Sequence, residues 1–142
     1  MNVLVDTSVW SLAFRRKRNE LSKDEAALVK ELTELIDEGR AQLIGVIRQE
    51  LLSGIKTDEQ FEKLKRALSV FLDAVLTTED FEAAASASND CRKRGVASST
   101  ADMLICAVAL RRGWEIFTTD PDFGHYAKIL PIKHHHIRNR PV

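Results

Sequence analysis

Cysteine is nearly absent. Cys91 and Cys106 are the only two in 142 residues, which leaves no disulfide framework to read. Cys106 lies in an apolar helical run and reads as a small core residue, so a reducing cytoplasm is the expected setting. No apolar stretch approaches the roughly 20 residues that a membrane-spanning helix needs. Neither a basic region nor a cleavage site flanks the first apolar run, so no signal peptide is expected. Net charge is missing too. Lys and Arg together number 21, as do Asp and Glu, and this balance argues against holding polyanions by bulk charge. Glycine and proline are few, six and three. With no internal repeat and no low-complexity linker, a single domain over residues 1–142 is expected, with a short basic, histidine-rich tail from about residue 133.

What is present is an alternation of strands and helices. Val3-Leu4-Val5 reads as a strand buried on both faces, and it stops at Asp6-Thr7-Ser8. A short helix over 9–14 and a basic cluster, Arg15-Arg16-Lys17-Arg18, come next. Ser22 and Glu25 spell a capping box, and Leu28, Leu32, Leu35 and Ile36 follow at helical spacing up to Gly39. A strand over 42–45, a helix over 46–52 and a helix opened by Thr57 are expected in turn. A weak strand over 74–77 and an alanine-rich helix over 78–94 lead to Ser99, which opens a very apolar helix ending at Gly113. Strands at 115–118 and 129–133 complete the pattern. Alternation of this kind implies a parallel sheet covered by helices on both faces.

Four carboxylates stand out. Asp6 and Asp120 each follow a buried strand, and ligands of open parallel sheets collect outside the carboxyl ends of strands. Each is equally placed to cap the helix that follows, Asp120 with Pro121 at the first helical position. Glu50 falls at the helical spacing of Val46, Ile47 and Leu51, a face that should be apolar. Asp102 sits in the first turn of the most apolar helix, where Ser99 also offers it a capping box. Asp122 lies one step further out than Asp120. Four convergent acids repel one another unless cations bind, and an all-oxygen site suits Mg²⁺ or Mn²⁺. Such ions serve phosphoryl chemistry.

Val5-Asp6-Thr7-Ser8-Val9-Trp10, Glu50-Leu51, Asp102-x-Leu104-Ile105-x-Ala107 and Thr118-x-Asp120-x-Asp122-Phe123 together resemble the PIN-domain ribonucleases, in the order and size of the VapC toxins of type II toxin–antitoxin pairs. The resemblance covers nearly the whole chain. It implies a three-layer α/β/α fold on a five-stranded parallel sheet ordered 3-2-1-4-5, which would set Asp6 beside Asp120. It also implies Mg²⁺ or Mn²⁺ held by Asp6, Glu50, Asp102 and Asp120, with Thr118, Ser8 and Asp122 in support. The implied partners are an RNA substrate (transfer or ribosomal), a VapB-type antitoxin and a second copy of the chain. Arg15, Arg16, Lys17 and Arg18 follow the first strand end and are candidates to hold the RNA backbone. The run His134-His135-His136 departs from the family pattern. It suggests a rival ribonuclease working by histidine acid–base chemistry, although a solvated tail is the simpler reading. A non-catalytic PIN-like binding module and another acidic-site phosphohydrolase are the further alternatives.

Overall fold

The computed structural model describes residues 1–138; the last four residues of the expected tail, 139–142, lie outside them. Strand β1 (Val3–Val5) is wholly buried and forms the centre of a parallel sheet. Strands β2 (Ala41–Gln42) and β3 (Glu115–Phe117) flank it, in the order β2-β1-β3. Leu4 lies opposite Gln42 on one side and Ile116 on the other, and Val5 lies opposite Phe117. The described residues form seven α-helices: α1 (Thr7–Phe14), α2 (Lys23–Asp37), α3 (Gly45–Leu52), α4 (Asp58–Leu68), α5 (Thr78–Lys93), α6 (Thr100–Arg112) and α7 (Asp122–Tyr126). A short 3₁₀ turn over Arg18–Glu20 joins α1 to α2. Among the described residues no helix is long and apolar enough to cross a membrane.

Local chemistry sets most boundaries. Ser22 and Glu25 form the capping box of α2, and Thr57 caps α4 by accepting from the Gln60 amide. Gly113 closes α6 in the left-handed conformation, φ 69°, that glycine adopts without a Cβ clash. Helix α6 buries Met103 through Ala109 without interruption, so it lies inside the molecule. It packs along α5, and the two are tied by a buried acid: Asp80 accepts from both Arg111 and Arg112. Hydrogen bonds from Arg112 hold the Asp80 carboxyl far below the usual carboxylate range, against the opposing effect of burial.

The five-stranded sheet expected from the sequence is not what forms. Among the described residues three strands pair, and in place of the expected outer strands over 74–77 and 129–133 there are two isolated bridges just outside those ranges, Leu43 with Asp73 and Ile116 with His134. The reasons are local. Over 74–77, Val75 is exposed and offers no buried face, and the carbonyl of Val75 accepts from Arg112. Just upstream, Arg48 donates to the carbonyls of Leu68 and Phe71 and to the Asp73 carboxylate. Arg112 thus takes one carbonyl that a neighbouring strand would have taken, while Arg48 fixes the turn that leads into the segment. Over 129–133, Pro131 has no N–H to give to a ladder.

The described part of the tail, 133–138, is not uniformly solvated either, since His135 is buried. Lys133 and His135 bracket β3, the Ile116 amide donating to the Lys133 carbonyl and the His135 amide to the Ile116 carbonyl. His135 is buried, with its Nε2 2.6 Å from Glu31 of α2 and its Nδ1 3.0 Å from Glu115. Arg138 donates to the same Glu31 oxygen and to Glu38. Burial raises the Glu31 carboxyl, but the bonds from His135 and Arg138 outweigh it and leave its pKa lowered. A buried carboxylate needs such partners, because an unpaired one costs several kcal/mol.

Candidate active site

The register of β1 against β3 creates the site. Val5 pairs with Phe117, and the Asp6 amide donates to the Phe117 carbonyl at 2.9 Å, so Asp6 and Thr118 leave the sheet side by side. Asp6 has the extended backbone of a helix cap and is buried at the start of α1. Its cap and site roles coincide. One carboxylate oxygen, Oδ2, accepts from Ser8 Oγ (2.7 Å), from Thr118 Oγ1 (2.8 Å) and, more weakly, from the Ser8 amide (3.4 Å). The Thr119 amide donates to Ser8 Oγ and the Asp120 amide to Thr118 Oγ1, both at 3.0 Å. With their acceptor sides engaged by backbone amides, both hydroxyls are turned to donate to Asp6. Oδ2 is therefore saturated, and among the described residues Oδ1 accepts no hydrogen bond.

Asp102 comes from the first turn of α6. Its amide is capped by Ser99, and its Oδ2 accepts a 2.7 Å hydrogen bond from the hydroxyl of Tyr126 on α7. Burial pushes the Asp102 carboxyl above its ordinary range, the Tyr126 bond opposes this, and the charges of Asp6 and Asp120 add to it. Tyr126 is itself buried, and burial followed by the bond to Asp102 keeps its phenol protonated well above the usual pH.

Asp120 does not serve as the N-cap in the place expected, since α7 begins at Asp122. Its Oδ1 accepts from the Asp122 amide at 2.9 Å, which is a cap displaced by one residue. Asp102, Asp120 and Asp122 each bring one carboxylate oxygen within 4.8 Å of the other two. Asp122 is exposed, as its place one step further out implies, and still brings an oxygen to this group. Glu50 corrects the expectation in the other direction. Ile47 and Leu51 carry the buried face of α3, and Glu50 lies on its solvent-open flank. There it accepts from Thr7 Oγ1 at 3.3 Å. Partial desolvation raises its pKa, the Thr7 bond opposes, and the charges of Asp6 and Asp102 reinforce the rise. The mutual charge effects join Asp6, Glu50, Asp102 and Asp120 into one electrostatic unit. An array of oxygen donors with upward-shifted acids is the chemistry of a site for a hard divalent cation.

The remaining candidates separate. Arg15, Arg16 and Lys17 line a cleft of about 590 Å³ between the end of α1 and the face of α4, which contains none of these acids. Arg18 lies outside that cleft, against α2. The rings of His134 and His136 stack 6.4 Å apart, while His135 between them is committed to Glu31 and Glu115. Sequence reasoning missed Tyr126. Its spacing from Phe123, three residues earlier, reads as a core pair, and the two rings do pack edge to face at 5.3 Å.

Comparison with known proteins agrees with this geometry. The model of the PIN domain family matches residues 3–129. The chain is 31% identical over 136 residues to the VapC ribonuclease Mb1587 of Mycobacterium bovis and to ribonuclease VapC11 of Mycobacterium tuberculosis, spanning 92% of this chain and 96% of each relative. Among solved structures it is similar to the FitAcB crystal structure from Neisseria gonorrhoeae (TM-score 0.72, 20% identity, 94% of this chain and 96% of that one). It is equally similar to VapBC2 of Rickettsia felis bound to a promoter DNA fragment (TM-score 0.72, 14% identity, 95% and 98%).

Proposed function

Since the chain belongs to the PIN-domain family, as a homologue of the VapC ribonucleases, we propose that it is the toxin of a VapBC-type pair, an endoribonuclease that depends on Mg²⁺ or Mn²⁺. The observation that supports this most directly is the convergence of acids from four separate segments. Asp6 from β1, Glu50 from α3, Asp102 from α6, and Asp120 with Asp122 after β3 surround one end of the sheet. The donor set is all oxygen, which fits Mg²⁺ or Mn²⁺ and not a thiolate- or imidazole-preferring ion. When bound, such an ion supplies an activated water and neutralises charge on a phosphodiester.

This chain's own residues do the rest. Ser8 and Thr118 fix Asp6 through Oδ2 and leave Oδ1 available to a cation. Tyr126 fixes Asp102 in the same way. The Thr7 hydroxyl steadies Glu50 at the open rim, where a long RNA can enter. The solved neighbours are toxin–antitoxin assemblies, and a VapB-type antitoxin is the partner proposed for this chain. It would bring an Arg fork to the acids, since such a fork matches paired carboxylates. Function in the cytoplasm and a homodimeric state belong to the same proposal.

The test is the chemistry of the cut. Hydrolysis by water leaves a 5′-phosphate and a 3′-hydroxyl, stops in EDTA and recovers with Mn²⁺. Attack by the ribose 2′-hydroxyl, the route of a histidine pair, leaves a 2′,3′-cyclic phosphate. End-labelling of fragments from the wild type and from a variant with His134 and His136 replaced by alanine distinguishes them. Cyclic-phosphate ends from a reaction that persists in EDTA would overturn the proposal.

A further inference from the structure

The cleft beside α1 is unlike the rest of the surface. The chain has equal numbers of acidic and basic residues, yet this cleft is lined by Arg15, Arg16, Lys17, Lys56 and Lys63 and by no acid. Arg16 is engaged by Glu25 and by the Glu20 carbonyl. Among the described residues Arg15, Lys17, Lys56 and Lys63 make no ion pair. Four cations without counter-charges around one cavity repel one another, and a polyanion relieves that repulsion.

The cleft also has a fixed relation to the acids. Helix α1 starts at Thr7, which contacts Glu50, and from its seventh residue, Ala13, it lines the cleft about 9 Å along the helix axis. On the other wall, α3 ends two residues after Glu50, and Gly54, Ile55 and Lys56 enter the cleft directly. Two elements that carry the acidic rim therefore run straight into the basic cleft. A linear ligand whose phosphate lies at the acids must leave the pocket along some wall, and this one offers positive charge.

We infer that the α1/α4 cleft binds the phosphate backbone of the RNA flanking the scissile bond, with Lys56 and Lys63 as its principal phosphate contacts beside Arg15 and Lys17. This rests on the ribonuclease reading of the acids but names a separate surface. Phosphate contacts position a strand and carry no sequence information. The cleft thus governs affinity and register, while the cut stays with the acids.

The experiment measures binding without cleavage. A fluorescein-labelled single-stranded RNA is titrated with the full chain in EDTA, by anisotropy, across a series of salt concentrations. Each phosphate contact on single-stranded RNA contributes about 0.7 to the slope of log affinity against log salt. The double variant Lys56→Gln/Lys63→Gln is expected to lower that slope by about 1.4. The control Lys93→Gln/Arg94→Gln, an equal charge change at the exposed end of α5, is expected to leave the slope unchanged. Melting curves establish that both variants are folded. An equal slope change in both pairs, or none in the cleft pair, overturns the inference. So does a cleft pair that keeps RNA binding but loses the cognate antitoxin, which would make the cleft a protein-docking groove. Failure of the ribonuclease reading is separately visible, as a wild type that binds RNA through the cleft but never cuts it in Mn²⁺.

Discussion

Removing one hydroxyl tests how the acids are held. Tyr126→Phe keeps the ring that packs on Phe123 and deletes only the donor to Asp102 Oδ2. A hydrogen bond to a charged group contributes about 1.5–3 kcal/mol. Two effects of its loss oppose each other. An unbonded carboxylate is a stronger electron donor, which favours a cation. It is also free to turn, and its pKa climbs further because a lowering influence is gone. Tyr126 is 1% exposed and water does not readily replace its hydroxyl, so disorder and protonation win. Residues that orient a metal ligand typically cost 10–100-fold in metal affinity when removed, which at 1.4 kcal/mol per tenfold matches the hydrogen-bond range. Calorimetric titration with Mn²⁺ near neutral pH is therefore expected to show at least tenfold weaker binding in Tyr126→Phe. The pH of half-maximal Mn²⁺ binding should move upward. Equal or tighter Mn²⁺ binding by a folded variant would refute the reasoning, and a lower melting temperature with unchanged affinity would reduce Tyr126 to packing.

Asp102→Asn should abolish Mn²⁺-dependent RNA cleavage while circular dichroism stays native, and relief of repulsion from Asp6 and Asp120 should raise the melting temperature of the metal-free protein. The acids with raised pKa values, Glu50 and Asp102, bind more protons in the folded chain than in the unfolded one. Metal-free stability should therefore increase as pH falls from neutral towards their ordinary values near 4. Below that, the lowered acids Glu31 and Asp80 reverse the trend as they protonate, so chemical denaturation across pH should trace a maximum in mildly acidic buffer; a monotonic fall from neutral pH would contradict this. His135→Ala strips one of the two partners of the buried Glu31 and leaves Arg138, a loss of about 1–3 kcal/mol, and urea midpoints will show it. Thr118→Val should cost about 1–3 kcal/mol by orphaning the Asp120 amide and one bond to Asp6.

The parts of the molecule legible in the sequence are those governed by local rules. The central strand, the capping box at Ser22 and the stop at Gly113 follow from neighbours in the chain. Asp6 and Asp120 were legible because strand ends converge in any open parallel sheet. Asp102 was legible because a charge on so apolar a helix needs a reason. The outer strands were not: over 74–77 Arg112 reaches the Val75 carbonyl from a distant helix, and over 129–133 the one local warning was Pro131. Tyr126 was hidden because its partner lies 24 residues away and its spacing suits a core. His135 was hidden by its setting in a polar run. Its partner carried a signal, though: Glu31 stands between Leu28, Leu32 and Leu35 on the apolar face of α2. The logic that singled out Glu50, which proved solvent-open, applies with more force to Glu31, which proved buried.

The two single-bridge segments have a consequence for assembly. On one flank the Ala74 amide occupies the carbonyl of Leu43, and on the other Lys133 and His135 occupy both outward groups of Ile116. Each segment is pinned by a side chain, Asp73 by an ion pair to Arg48 and His135 by a hydrogen bond to Glu31. Among the described residues an extended peptide from another chain finds the backbone groups at Leu43 and Ile116 already taken, so adding a strand directly to β2 or β3 is obstructed there. A second copy or an inhibitory protein must instead grip helical faces. Its contacts are then side chain to side chain, the kind that diverge fastest, so that closely related pairs in one cell can remain insulated from each other while sharing one fold.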